Sequence, residues 1–348
     1  MIHVAVLMGG RSSEHEVSLA TGQMMLRELD VQRYRAKAVR IDRDGLWRVS
    51  PGYAGALAVA GLDSVAAVRP GAALAQLERD HVEVALLGLH GPGGEDGSIQ
   101  GMFETAGIAF TGAGVAGSAI AMDKLLAKKL LASARIATPA YAEVERIRVD
   151  DASDATRGMG FPLVVKVPHL GSSTGMGLAK DAVELARTLR ELFAQFPETD
   201  RILVEQYVAG RELTCGVLAG PSGEPVALPP TEIRRPGLIF DYHAKYTPGA
   251  CEEITPAPLP AHQIARVQDL AVACHKELRA GSISRTDMIL TSDGALVVLE
   301  LNTLPGMTAT SLVPQAAAAS GLAFGALLDR LIDYALASRP QLRARARA

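Results

Sequence analysis

The chain has 348 residues, 48% hydrophobic and 21% charged, with a formal net charge of -3. That length allows two or three domains, the composition is that of an ordinary soluble protein, and the charge balance gives no electrostatic case for nucleic acid or a membrane surface. No run of about 18 apolar residues suggests a membrane span. Three scattered cysteines (Cys215, Cys251, Cys274) fit reduced thiols in a cytoplasmic protein rather than a metal knuckle.

In chain order, HVAVLMGG reads as a buried strand ending in a glycine turn, not as a signal segment, because a basic n-region is missing. SSEHEVSLATGQMMLREL follows as a helix, with Ser13 and Glu16 spaced as a capping box. VEVALLGLHG is a further apolar strand and GSIQGMFETAG a helix ending at Gly107. Strands alternating with helices predict an α/β unit with a mostly parallel sheet over residues 1–112, whose ligands gather at the carboxyl ends of the strands, where GGRSSEHE and HGPGGEDG lie. Residues 113–205 change character. SAIAMDKLLAKKLLASA reads as one strong helix, FPLVVKVPHLGSSTGMGLAK as strand, glycine loop and strand, and RILVEQYV as another strand. Residues 206–338 mix strands and helices in an α+β manner: strands around RELTCGVLAG, the long loop PPTEIRRPGLIFDYHAKYTPGACEE, a helix near 261–279, a hairpin and a final helix from about 311. A loop of that length suits a lid. The basic, Ala-rich stretch 339–348 reads as a flexible tail.

Several residues carry chemistry. HLGSSTGMG offers backbone N–H groups and the hydroxyls of Ser172 and Ser173 without bulky side chains, a composition that can fold over phosphates, although an ordinary hairpin fits it equally and neither G-K-[ST] nor G-x-G-x-x-G is present. Lys166, inside the apolar PLVVKV, needs an anion or an outlet to water; beside the glycine loop it suits a phosphate, and alone it also suits a snorkelling edge lysine. Lys124 taken alone reads as a solvated helix residue, and Glu205 and Glu212, flanking QYVAG, as surface charge or as partners for nucleoside hydroxyls. Glu14 fits either a helix cap or a ligand, His90 a structural hydrogen bond, and Lys245 with Tyr246 in FDYHAKY a lid bringing a cation and a phenol over a phosphate.

The hairpin MILTSDGALVVLELNTLPGM poses the sharpest question, since its apolar second strand ends in Glu300 and Asn302. Asp293-Gly294 is a two-residue turn signal. With that turn, Asp287 lies opposite Glu300 and Arg285 opposite Asn302, all on one face. Opposed carboxylates with Cβ atoms about 5 Å apart repel and require a cation. Hard oxygen donors of this kind suit Mg²⁺, while a solvated strand end is the alternative.

Together these pieces resemble the D-alanine–D-alanine ligases of the ATP-grasp superfamily. The resemblance runs in order through VLMGGRSSEHEVS, LHGPGGEDGSIQGMFE, TGAGVAGSAIAMDK, VVKVPHLGSSTGM, VEQYVAGRELT, DYHAKY, RTDMIL and LELNTLPGMTATSLVP, nearly the whole chain. It implies three domains with ATP between the central and C-terminal sheets. Lys124 and Lys166 would contact the phosphates, Ser172 and Ser173 would cover them, Glu205, Gln206 and Val208 would line the adenine pocket, and Glu212 would meet the ribose. Asp287, Glu300 and Asn302 would hold two Mg²⁺ or Mn²⁺. Glu14 would bind the first D-alanine's ammonium, with His90 also among the substrate-binding residues. Arg285 and the Gly306 backbone would face the reacting carboxyl, Ser311 and Leu312 would receive the second substrate's carboxylate at a helix start, and Tyr246 would join Glu14 and Ser172 in a trio beside Lys245. A homodimer is implied as well. Departures are local: Val167 precedes Pro168 where Lys-Pro is common, Ser284 stands where Gly is usual, and Gln206 stands where Lys is frequent. Relatives accepting D-lactate carry histidine in place of the Lys-Tyr pair, whereas AKY is intact here.

Overall fold

The computed structural model describes residues 1–53, 57–171, 174–220, 222–234 and 251–338. The catalytic and phosphate-covering expectations for Ser172, Ser173, Lys245 and Tyr246, and the flexible tail, lie outside the described residues.

Strand β1 (Ile2–Gly9) is the middle of the first sheet, whose order is β3-β2-β1-β4-β5, with β2 Tyr34–Ile41, β3 Trp47–Val49, β4 Val84–Leu87 and β5 Ala109–Phe110. The pairings β1–β2, β1–β4 and β4–β5 are parallel, and only the edge strand β3 is antiparallel. Both faces of β1 are buried because successive side chains enter different cores. Ala5 and Leu7 join Phe103 and Phe110 on one face, and Val4, Val6 and Met8 meet Leu327, Leu331 and Ile332 on the other. The second group belongs to the helix Phe324–Ser338, so the end of the chain covers its beginning. The expected helices His15–Glu28 and Ser98–Ala106 are present, the latter stopped by Gly107 at φ +76°. The capping box is not formed: the first helix starts two residues past Ser13, and the Ser12 hydroxyl instead donates to the His90 carbonyl at 2.8 Å.

A four-stranded antiparallel sheet follows, order β6-β9-β7-β8 (Tyr141–Glu145, Arg201–Gln206, Leu163–Lys166, Met176–Ala179), packed against the amphipathic helix Ala182–Gln195. The third sheet is antiparallel, order β13-β12-β10-β14-β15, with β11 also pairing β10 (Arg211–Ala219, Pro225–Ala227, Thr231–Arg234, Glu252–Ile254, Ile283–Leu290 and Leu296–Asn302 for β10 to β15). The helix Ala261–Glu277 buries Val267 and Ala271 against it.

Two long helices of the sequence reading are broken. The run after Ser118 divides into Val115–Met122 and Lys124–Ser133, because Asp123 leaves helical geometry and its carboxylate accepts from the N–H groups of Leu125 and Leu126 at 3.0 and 3.1 Å. The final helix is two, Leu312–Ala319 and Phe324–Ser338, bent by 105° around Gly321 at φ +83°. Among the described residues no single helix is long and apolar enough to cross a membrane.

The hairpin departs from its expected turn yet keeps the expected pairing. Leu290 pairs with Leu296, and Thr291 hydrogen-bonds Ala295, so the turn holds three residues, Ser292, Asp293 and Gly294. A two-residue turn would have put Leu290 opposite Val297. A bulge between Asp287 and Met288, which leaves Leu299 without a cross-strand partner, adds the missing residue back. Asp287 therefore meets Glu300, and Arg285 meets Asn302. Gly294 adopts φ +84°, with open space where a Cβ would project. Gly294→Ala should thus lose about 1 kcal/mol of stability from left-handed backbone strain alone. Urea unfolding checks this, and an unchanged midpoint would contradict the three-residue turn.

Candidate active site

The hairpin carboxylates are already paired with cations. Arg285 grips Asp287 with two parallel bonds, Nε to Oδ1 and Nη2 to Oδ2, both 2.8 Å. The Thr214 hydroxyl donates to the same carboxylate at 2.6 Å, and the Asn302 amide at 3.3 Å. Burial alone would lower the guanidinium pKa, but Asp287, aided by Glu300 and Glu95, raises it above its ordinary value. Across the ladder, Glu300 faces the Lys124 ammonium at 3.4 Å.

Lys124 reaches that point because of the break at Asp123. The break starts a new helix at Lys124, whose N–H donates to the Pro168 carbonyl and whose Nζ donates to the Leu170 carbonyl at 2.8 Å. It is not the solvated helix residue that its local sequence suggests. Its attachment fixes the start of the glycine loop, and Gly171, next along, stands against Glu14: a Cβ there would come within 2.9 Å of the Glu14 carboxylate. A Cβ on Gly91 would meet the same carboxylate at 2.9 Å, so Glu14, itself buried, lies between two glycines.

Glu205 is 2% exposed, which overturns its reading as surface charge. Strand β9 is flanked on both sides, so Glu205 pairs with Tyr141 and Val164 and has no route to water. Two lysines neutralise it. Lys166 Nζ lies 2.5 Å from Oε2, and Lys128 Nζ forms an ion pair with Oε1 that meets no hydrogen-bond geometry. Burial would push the Glu205 carboxyl up, but the two ammonium groups hold it below the usual range. Burial pulls Lys128 down, whereas Glu205 and Glu300 outweigh burial and raise Lys166. Strand β7 is internal to its sheet, so Lys166 is not an edge lysine. Lys128 escaped the sequence reading. Its signal was the four-residue spacing from Lys124, which places both on one face of the helix.

Gln206 is exposed, and Val208 and Glu212 are half-buried at the ends of β9 and β10. Ser311 is the N-cap of the helix Leu312–Ala319; its hydroxyl accepts from the Thr308 N–H at 3.0 Å and would lie 2.8 Å from a Cβ on Gly306. His90 is buried, with Nδ1 at 2.9 Å from the Leu304 carbonyl and Nε2 at 3.0 Å from the Thr21 hydroxyl. Both ring nitrogens are thus engaged by the protein, which fits the structural hydrogen bonding read from the sequence. All three cysteines are free thiols, and burial pushes Cys215 and Cys274 up to about 12.

The donors Asp287, Glu300 and Asn302 fit a divalent ion such as Mg²⁺, being hard oxygens on two adjacent strands and partly open to solvent. Among the described residues no group of three or more His, Cys, Asp and Glu has metal-site geometry. In this state Arg285 and Lys124 balance the two carboxylates.

The buried charges carry a stability consequence. Glu205→Gln strands two lysines, whereas Lys128→Met leaves Lys166 on Glu205. The first should cost about 3–5 kcal/mol and the second less. The depressed Glu205 carboxyl contributes fully above the ordinary glutamate pKa of about 4.3, and its contribution fades as pH falls through the lower folded value. Glu205→Gln should lose that acid dependence. Urea unfolding from pH 7 to 3 checks both statements, and a larger loss for Lys128→Met would contradict them.

Comparisons with known proteins give the family. Family models described as D-ala D-ala ligase N-terminus and D-ala D-ala ligase C-terminus match residues 3–113 and 130–333. The D-alanine--D-alanine ligase of Syntrophobacter fumaroxidans is 41% identical over 96% of this chain and 97% of its own length, and that of Pelotomaculum thermopropionicum is 38% identical over the same shares. Among solved structures, the D-alanine-D-alanine ligase from Coxiella burnetii superposes with a TM-score of 0.81 at 27% identity, covering 99% of this chain and 97% of that one. A D-alanine--D-alanine ligase from Bacillus anthracis complexed with ATP gives 0.76 at 31% identity, covering 98% and 99%. A parallel N-terminal sheet, two antiparallel sheets and these matches establish the ATP-grasp fold. With both halves matched by the family's models and relatives aligned over almost the full length, the chain belongs to the D-alanine–D-alanine ligase family.

Proposed function

We propose that the protein joins two D-alanine molecules into D-alanyl-D-alanine at the expense of ATP, releasing ADP and phosphate, as a step in making peptidoglycan precursors. The supporting observation is a continuous path of contacts through all three sheets: Glu14 against Gly171, Leu170 bonded to Lys124, and Lys124 paired with Glu300. A carboxylate suited to an ammonium, the start of a loop suited to phosphates and a carboxylate pair suited to a divalent ion lie along that path.

A carboxylate is a poor acyl donor, so the first D-alanine's carboxylate attacks the γ-phosphate of ATP and forms an acyl phosphate. Glu14 takes its ammonium. Lys124 and Lys166 hold the phosphates, beneath Ser172 and Ser173; Glu205, Gln206 and Val208 line the adenine, and Glu212 meets the ribose. The amine of the second D-alanine, whose carboxylate sits at Ser311 and Leu312, attacks the acyl carbon and phosphate leaves. Arg285, held by Asp287 through Nε and Nη2, stabilises the oxyanion together with the Gly306 N–H. Tyr246 and Lys245 close over an intermediate that water would destroy. Asp287, Glu300 and Asn302 would hold two Mg²⁺ or Mn²⁺, which neutralise phosphate charge. The ranges 1–112, 113–205 and 206–338 are taken as the three working domains, though β9 runs one residue past 205. A cytoplasmic homodimer completes the reading.

Phosphate release from ATP should be strong with D-alanine and weak with L-alanine or D-lactate; equal release with D-lactate would move the assignment to an ester-forming relative. Asp287→Ala or Glu300→Ala should lower turnover about a hundredfold or more at limiting Mg²⁺, the loss of a few kcal/mol of charge stabilisation. Undiminished turnover across an Mg²⁺ titration would remove both residues from the metal site.

A further inference from the structure

Leu304 is held on every side by the first sheet, although it follows the last strand of the third. Its side chain belongs to the core of Leu87, Leu89, Phe103 and Phe110 and presses on Gly112, where a Cβ would come within 2.5 Å of Cδ2. Its N–H donates to Glu95 Oε1 at 2.9 Å. Its carbonyl accepts from His90 Nδ1 at 2.9 Å. That bond requires the proton on Nδ1, so Nε2 accepts from the Thr21 hydroxyl at 3.0 Å. Burial lowers the His90 pKa, which keeps this neutral form. The second oxygen of Glu95 accepts from the Gly91 N–H at 2.9 Å, and Gly91 is one of the two glycines against Glu14.

We propose that Glu95 is a positioning residue for the reaction: one buried carboxylate ties the wall behind Glu14, through Gly91, to the Leu304 peptide that lies midway between Asn302 and Gly306. Each of its oxygens receives one backbone N–H, so only the carboxylate form serves both. A protonated or amide group presents a donor to one of them. The two substrate-facing walls come from sequence segments more than 200 residues apart, and Glu95 with His90 joins them directly. The groups bearing on its charge are Glu14, which together with burial pushes the carboxyl up to about 7, and Arg285, which with the two N–H bonds opposes that rise. His90, next to it on Leu304, stays neutral. The carboxylate form therefore fades as pH falls below about 7. This inference rests on the ligase reading above.

The test compares Glu95→Gln with the wild-type chain in D-alanine-dependent phosphate release across pH 5.5–9. The wild type should show an acid limb near pH 7 in kcat/KM for D-alanine. Glu95→Gln should lose tenfold or more in that parameter, lack the limb, and keep KM for ATP within twofold, since the nucleotide residues lie on other sheets. Thr21→Val, which only releases His90 Nε2, should raise KM for D-alanine several-fold with the same KM for ATP. Hydrogen exchange of the 303–306 segment should quicken in both variants. D-alanine kinetics within twofold of wild type, equal changes toward ATP and D-alanine, or unchanged exchange at 303–306 would overturn the proposal. Failure of the ligase reading is separate: the wild type itself would then release no phosphate with D-alanine, while the exchange experiment would still judge the Leu304 seat.

Discussion

Two carboxylates set face to face on one β-ladder, Asp287 and Glu300, impose the constraint from which the rest of the site follows. Like charges at that separation are unfavourable, and partial burial strengthens the repulsion. The fold answers with cations from two directions. Arg285 comes from the same strand, two residues away and on the same face. Lys124 comes from the start of a helix that exists only because Asp123 breaks the preceding one. Lys124 then has a second duty, securing the start of the glycine loop through the Leu170 carbonyl.

The same logic recurs one layer deeper. Glu205 is enclosed between β6 and β7, and a lone carboxylate there would cost several kcal/mol. Lys166 and Lys128 make it tolerable, at the expense of crowding two ammonium groups. Such a cluster has little tolerance for the loss of a member. The first sheet is joined by different means. The helix Phe324–Ser338 covers one face with apolar side chains, and Leu304 is inserted on the other. Charge thus links the second and third sheets, while packing, the Arg33 ion pairs with Asp329 and Asp333, and side-chain hydrogen bonds to the Leu304 backbone join the first sheet to the rest.

Some of this was legible in the residues, for reasons that can be named. Alternating strand and helix patterns gave the parallel first sheet, and Gly107 marked its helix stop correctly. The Asp287–Glu300 pairing was read correctly from a wrong turn, because the bulge beside Leu299 cancels the extra turn residue; a local turn signal cannot reveal a compensating bulge. The capping box failed because the helix begins at His15 with Glu14 as its N-cap, which leaves Ser13 outside the capping position. Glu205 and Lys124 read as solvated because their enclosure depends on neighbouring strands and loops, not on local pattern, and Lys128 was not singled out at all. Asp123 was the overlooked cue: an Asp followed by an apolar run is a helix start even inside a helical pattern. Glu95 gave no sign of its role, since both of its partners are backbone groups.

In the proposed function the hairpin carboxylates take divalent ions, and Arg285 and Lys124 balance their charge without them. A crystal grown with an ATP analogue and Mn²⁺ tests it through anomalous difference density. The ions should lie on the carboxylates of Asp287 and Glu300, at bond lengths near the roughly 2.1 Å of a hard-cation oxygen site, with Asn302 as a further oxygen donor and Lys124 turned to the phosphates. Ions found away from both carboxylates, with Glu300 still on Lys124, would contradict it.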